Sequence, residues 1–203
     1  LLKDTELSSS AQAIAKDIHV TCLNLLSIVS DLLMLASLDN SFVDPSKFVK
    51  INLREILEKS ECNQQGIIAE KNIQFKNEFA IQGDIFVMGD RDRLGNLFSN
   101  LFSNAIKYSH QGGTVRVHTI FTVKNDMAVI TIEDDGIGIP KDDQKRILEG
   151  FFRSENAKKH SVMGTGIGLY MCTKIVRAHG GNLALTSDEE HGTTIVVTLP
   201  VVL

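Results

Sequence analysis

The sequence has no run of about 18 apolar residues, the length a helix needs to cross a bilayer, and no leader of the basic–apolar–small type. A spanning helix within the chain is therefore not expected, and a cytoplasmic setting is, although a longer parent protein could carry a membrane anchor elsewhere. Clustered positive charge is also scarce. The net charge is -4 at pH 7 and Lys158-Lys159-His160 is the single basic cluster, which argues against nucleic acid as a partner. Cysteine is rare: Cys22, Cys62 and Cys172 are odd in number, widely spaced and set in apolar patterns. That spacing suits neither a metal site nor a disulfide framework and predicts reduced, buried thiols. There is no internal repeat and no low-complexity tract. What remains is 203 residues with 43% hydrophobic content, enough for a full core in one or two domains.

Proline and glycine are missing from Ser8 to Leu38. Within that span Ile14, Ile18, Thr21, Leu25, Ile28, Leu32 and Leu35 recur at alternating spacings of four and three. Cys22, Leu26, Val29, Leu33 and Ala36 form a second stripe beside them. A helix of that length is a rod of roughly 46 Å and cannot bury both stripes on itself. Two adjacent heptad stripes fit a four-helix bundle, so the rod needs partner helices. The plainer alternative is one amphipathic helix packed on the chain's own domain. Ser8-Ser9-Ser10 supplies N-caps. The run ends near Asp39-Asn40, and residues 41–50, with Pro45, read as a linker. The expected division is thus 1–40 for the bundle part, 41–50 for the linker and 51–203 for a second domain.

That second domain alternates between helical and strand periods. A helix is predicted over Leu53–Ala69. Strands are predicted over Ile73–Phe79, Ile85–Met88, Thr114–Val123, Met127–Ile132, Asn182–Thr186 and Thr193–Leu199. A further helix opens at Asp90, and another runs into Gly180-Gly181. This order predicts an α+β fold: an α/β sandwich with helices on one face of a mixed sheet.

Three segments carry candidate chemistry. In Asn100-Leu-Phe-Ser-Asn104-Ala-Ile-Lys107-Tyr108, helical geometry puts Asn100, Asn104 and Lys107 on one face, with Leu94, Phe98, Leu101 and Ala105 opposite. Amide oxygens can ligate a hard cation and an ammonium can neutralise phosphate; a merely solvated helix face is the alternative. In Glu133-Asp134-Asp135-Gly136-Ile137-Gly138-Ile139-Pro140, a carboxylate ends a strand and glycines follow, so backbone can approach a ligand. In Gly164-Thr165-Gly166-Ile167-Gly168-Leu169, glycines feed a helix N-terminus, where N–H groups and the dipole favour an anion. Any one alone is weak evidence; together, in order, they are strong.

These segments resemble the catalytic region of two-component sensor histidine kinases, within the GHKL superfamily of ATP-binding proteins. Asn100–Tyr108 resembles the asparagine box and Asp134–Gly138 the first glycine box. Ile147-Leu-Glu-Gly-Phe151-Phe152-Arg153 resembles the phenylalanine box, with Leu148 at a position where the family often has Phe. Gly164–Leu169 resembles the second glycine box, and His179-Gly-Gly181 and Gly192-Thr193 resemble closing features. The resemblance implies ATP and Mg²⁺ as cofactors. It implies Asp134 on the adenine amino group, Asn104 on Mg²⁺ with Asn100 assisting, Lys107 on phosphate and Tyr108 beside adenine. Gly136, Gly138, Ile139 and Thr193 would be further nucleotide-binding positions. Phe152 and Arg153 would sit at the start of a lid that Gly164, Thr165, Gly166, Ile167, Gly168 and Leu169 hold over the phosphates. Gly150–Met163, with few apolar anchors after Phe152, is expected to be a loop that orders on nucleotide.

One residue discriminates within the superfamily. Its hydrolytic members have Glu where this chain has Asn100, and an amide has no useful basicity toward water near neutral pH. The catalytic set is then Asn100, Asn104 and Lys107, acting by positioning and charge neutralisation. The resemblance makes Ser8–Leu38 the second helix of a dimerisation and phosphotransfer domain, which implies a homodimer through the helical bundle. The family's acceptor His, followed by an acidic residue and then a proline, has no counterpart here. His19, in Asp17-Ile-His-Val-Thr21, lacks that context, as do His110, His179 and His191. The expectation is a chain that begins after the acceptor helix and cannot autophosphorylate. The parent would phosphorylate a bundle histidine for relay to the aspartate of a response-regulator receiver. The alternative is a dimerising, nucleotide-binding pseudokinase without phosphotransfer.

Overall fold

The computed structural model describes residues 44–79, 84–122, 126–159 and 165–202, together with Ala11, Ile14, Ala15, Ile18, Thr21, Cys22, Leu25 and Val29. Those N-terminal residues are helical, and Ile14, Ile18, Leu25 and Val29 stand exposed. The rest of the predicted 8–38 helix, His19 included, residues 41–43 and Gly164 lie outside the described residues.

A 3-10 turn at Pro45–Lys47, capped by Asp44, leads into β1 (Val49–Asn52), so strand pairing already includes Val49 and Lys50, which the sequence pattern assigned to a linker. The Asn52 side chain then accepts from Arg54 N at 3.0 Å and starts α1 (Leu53–Cys62). The single helix predicted to Ala69 is two helices. Asn63 and Gln64 break it, and α2 (Gln65–Lys71) follows. The break turns Ile67 and Ile68 toward the core that Leu53, Ile56 and Leu57 already face. Asn72, at φ 51, ends α2 in the left-handed conformation that Asn tolerates.

After β2 (Gln74–Phe79) and β3 (Phe86–Gly89), Asp90 caps α3 (Arg91–Tyr108), its Oδ1 accepting from Asp92 N at 3.0 Å and Arg93 N at 3.1 Å. Then come β4 (Thr114–Thr122), β5 (Met127–Asp134), the short α4 (Glu155–Lys159), α5 (Gly168–Ala178), β6 (Asn182–Asp188) and β7 (Gly192–Pro200). The main sheet runs β2-β4-β5-β7-β6, with β2 parallel to β4 and the remaining pairs antiparallel. β3 does not join it but pairs antiparallel with β1. Alternation sends Ala128, Ile130 and Ile132 of β5 inward, where they meet Leu97, Phe98, Leu101 and Phe102 of α3 and Ile175 and Val176 of α5 in one core. Helices therefore cover one face of a mixed sheet, the α/β sandwich that the element order predicts.

Two expectations are corrected. Among the cysteines only Cys172 is buried; Cys22 and Cys62 are exposed, Cys62 because Leu53, Ile56, Leu57 and Ser60 take the inner face of α1. The stretch after Phe152 is not wholly loop, since Glu155–Lys159 is helical with Asn156 and Ala157 buried.

Candidate functional site

One cavity lies between α3 and the ends of the central strands, and it gathers most of the residues singled out from sequence. Asn100, Asn104, Lys107 and Tyr108 of α3 form one wall. Asp134 and Thr193 close the deep end, opposite each other on β5 and β7. Gly138 and Ile139 supply the floor, and Phe152, Arg153, Thr165, Gly166, Gly168 and Leu169 supply the mouth. Gly136 and Ile167 do not line it. Gly136 packs against the Tyr108 carbonyl, where a Cβ would have no room, and Ile167 is 2% exposed in the core.

The adjacent acids behave differently. Asp134 faces the cavity, and its Oδ1 accepts from Gly136 N at 3.0 Å. Burial pushes its carboxyl up to about 7; the N–H groups of Gly136 and Thr193 oppose the rise and the neighbouring Asp135 charge adds to it. Asp135 faces elsewhere. Its Oδ2 accepts from Thr114 N at 2.8 Å and anchors the start of β4. Burial likewise raises the Tyr108 phenol.

The floor loop is shaped by backbone collisions that only glycine avoids. At Gly138, φ is 62 and a Cβ would strike the Asp188 carbonyl. Ile137 N donates to Tyr108 O at 3.1 Å, which ties this loop to the end of α3. Asn156, buried on α4, donates from Nδ2 to Gly138 O at 2.8 Å. At the mouth the two glycines differ: at Gly166, with φ 75, a Cβ would stand 2.7 Å from the Phe152 carbonyl oxygen, whereas Gly168 faces a side chain. A Cβ at Gly168 would stand 2.8 Å from Asn100 Oδ1 and 2.9 Å from Asn100 Nδ2, so this glycine leaves room for the amide. The Arg146 guanidinium lies 4.0 Å over the Phe152 ring, whereas Phe151 is exposed at φ 57.

α3 is held at both ends. Lys71 Nζ donates to Ile106 O at 2.9 Å, Lys107 O at 2.9 Å and Ser109 O at 2.7 Å, a cation placed where the helix dipole is negative. At the other end His179 Nε2 accepts from Asp90 N at 3.1 Å while its Nδ1 donates to Ile175 O at 2.8 Å. Burial lowers the imidazole pKa, which suits this neutral tautomer, and Phe48 stacks on the ring at 4.9 Å.

Sequence reasoning missed the apolar lining made by Ile132, Ile137, Ile147, Leu185 and Ile195. In sequence these look like ordinary core positions; the alternation that aims Ile132 at the α3 side was the available signal. Lys71, Asn156 and Ser187 were missed because their partners are remote in sequence. As for a metal, no cluster of His, Cys, Asp and Glu suited to one occurs among the described residues. The amides of Asn100 and Asn104, one helical turn apart beside Lys107, instead fit Mg²⁺, a hard ion that takes few protein oxygens and fills its shell with phosphate and water.

Residues 89–203 match the family model described as histidine kinase-, DNA gyrase B- and HSP90-like ATPase. The sensor histidine kinase WalK of Bacillus subtilis is 31% identical over 87% of this chain and 28% of its own length. WalK of Staphylococcus epidermidis is 31% identical over 98% of this chain and 31% of its own. The chain thus spans about a third of the length of these relatives. Among solved structures, the mycobacterial sensor histidine kinase MprB has a TM-score of 0.63 at 28% identity, covering 76% of this chain and 97% of that one. The nucleotide-free catalytic domain of the histidine kinase ThkA has a TM-score of 0.65 at 26% identity, covering 75% and 95%. The chain belongs to the histidine kinase-, DNA gyrase B- and HSP90-like ATPase family, as a GHKL catalytic region of the two-component histidine kinase type.

Proposed function

We propose that this chain binds ATP with Mg²⁺ in the α3–sheet cavity and passes the γ-phosphoryl group to a histidine on a dimeric helical bundle, for relay to a response-regulator aspartate. The observation that carries this reading is the polarity of the cavity. Amides and an ammonium line one wall, and a half-buried carboxylate sits at the far end of the apolar lining. Asp134 would accept from the adenine amino group, with Thr193 beside it. Tyr108 and the isoleucines would sandwich the base, while Gly138 and Ile139 would give it backbone to lie against. Asn104, with Asn100, would hold the metal, which supplies neutralisation of phosphate charge when bound. Lys107 would add a second positive charge there. Thr165, Gly166 and Gly168 would cover the phosphates, near Phe152 and Arg153. Beside the proposed metal, Asn100 is an amide and cannot act as a base for water. Positioning and electrostatics are what is left to drive transfer.

The exposed stripe through Ile14, Ile18, Leu25 and Val29 supports pairing with a second copy. The domain division at 1–40, 41–50 and 51–203 is part of the same proposal, with Val49 and Lys50 moved to the catalytic side by their pairing with β3.

The test mixes radiolabelled ATP and Mg²⁺ with this chain, with and without a helical bundle that carries an acceptor histidine. Acid-labile, alkali-stable label on the bundle is the expected result. Release of inorganic phosphate without the bundle would make the chain a hydrolase. Bound ATP with no transfer to any acceptor would leave it a nucleotide-binding pseudokinase.

A further inference from the structure

Ser187 lies on β6 outside the cavity lining, yet its hydroxyl is the hub of a small closed network. Its Oγ accepts from Ile139 N at 2.8 Å, reaches Gly192 O at 2.7 Å and meets Thr193 Oγ1 at 2.9 Å. A serine hydroxyl has one proton and two acceptor sites. The Gly192 carbonyl can only accept, so Ser187 must give its proton there. Ser187 Oγ can then only accept from Thr193, and the Thr193 proton is committed to it. Gln144 Nε2 braces the same corner by donating to Ile139 O at 3.0 Å and to Ser187 O at 2.6 Å.

The consequence falls on the cavity. Thr193 Oγ1, its proton spent, turns only lone pairs toward a ligand. Its register partner across the ladder is Asp134, which also only accepts once its carboxyl is ionised, above about pH 7. A base edge placed between them meets two acceptors. An exocyclic amino group satisfies both, whereas a keto oxygen meets repulsion from both.

We infer that Ser187 is a positioning residue for base choice: by holding the Thr193 hydroxyl as a pure acceptor, it makes the site select a 6-aminopurine over a 6-oxopurine nucleotide. The inference rests on the nucleotide reading above. It also explains why a serine outside the cavity lining bonds both the floor loop at Ile139 and β7 at Gly192 and Thr193.

The experiment compares the affinities of ATP and inosine triphosphate, whose bases differ in the amino and keto groups at this edge. It uses calorimetry on the unaltered chain, Ser187→Ala, Ser187→Thr and Thr193→Val. In Ser187→Ala the Thr193 hydroxyl is free to turn its proton toward a keto oxygen. The ATP-to-inosine-triphosphate preference is expected to fall about tenfold, mainly through tighter binding of the inosine nucleotide. Ser187→Thr restores the hydroxyl and should restore the preference. Thr193→Val should relax the preference by a similar factor, and adding Ser187→Ala to it should change the preference no further. A structural role alone would weaken both nucleotides equally. Equal weakening, or an unchanged preference in Ser187→Ala with ATP still bound, overturns the inference and leaves the nucleotide reading intact. If the unaltered chain binds neither nucleotide, both fall. Should Ser187→Ala not fold, Thr193→Val and Ser187→Thr carry the test, and a full preference in Thr193→Val overturns it.

Discussion

Gly138 and Gly168 belong to glycine-rich segments that look alike in sequence, and these two glycines do opposite work in the structure. In the floor segment, Asp134–Pro140, a side chain at Gly138 would collide with the backbone of Asp188, and Ile137 and Asn156 bond the loop to α3 and α4. Backbone cannot yield without moving strands, so this segment is part of the fold. In the mouth segment, the neighbour of Gly168 is the Asn100 amide, a side chain that can turn aside. Gly168 therefore serves the site rather than the fold. A glycine motif alone does not say which of these it is; the rigidity of the nearest atom does.

The sharpest way to break this contrast is Gly138→Ala. It adds a left-handed non-glycine residue and a backbone overlap, so a loss of roughly 3 kcal/mol or more is expected, read as a lower melting temperature with or without nucleotide. Stability within about 1 kcal/mol of the unaltered chain would refute the floor as a structural element. Next in size is Asp134→Asn. It should weaken ATP on the order of 10- to 100-fold by calorimetry, since a hydrogen bond to a charged group is lost. Unchanged affinity would move the base elsewhere.

Gly168→Ala should do the reverse of Gly138→Ala. It sits at the first residue of α5, where alanine favours the helix, so melting should hold or rise slightly. The displaced Asn100 amide should cost the Mg²⁺-dependent gain in nucleotide affinity about tenfold. A large drop in melting temperature would erase the distinction between the two glycines.

The smallest effect is in pH. The carboxyl of Asp134 is raised from 3.8 to about 7 in the folded chain. Between those values the folded state holds a proton that the unfolded state has released. Its stabilising contribution is thus full below about 3.8 and lost as pH rises through about 7. Binding of an amino group favours the ionised acceptor and expels that proton, so ATP affinity should rise several-fold from pH 6 to 8. Asp134→Asn should flatten both slopes relative to the unaltered chain. Parallel slopes in the two proteins would assign the titration to another group.

Much of the site was legible because its chemistry is local. Asn100, Asn104 and Lys107 share a face by helical period, and Asp134 ends a strand whose alternation is plain. The two faces of α3 sorted as the period required, with Leu94, Phe98, Leu101 and Ala105 buried. The division of Leu53–Ala69 into two helices was less legible, because Asn63 and Gln64 are acceptable helix residues and only the need to seat Ile67 and Ile68 breaks the run. The short α4 was hidden for a similar reason. Its polar composition reads as loop, and what holds it is Asn156 reaching Gly138.

The sequence by itself determined the sandwich, the family and the polar character of the α3 wall, since period and residue type act over a few neighbouring positions. Tertiary structure alone decided that Asp135, beside the cavity-lining Asp134, turns away to hold the start of β4. It also decided which lysine caps α3 and which serine sets the direction of the Thr193 hydroxyl. Those choices belong to pairs such as Lys71 with Ser109 and Asp135 with Thr114, far apart in the chain. A buried polar group must find its partner wherever folding brings one, and no local pattern encodes that meeting.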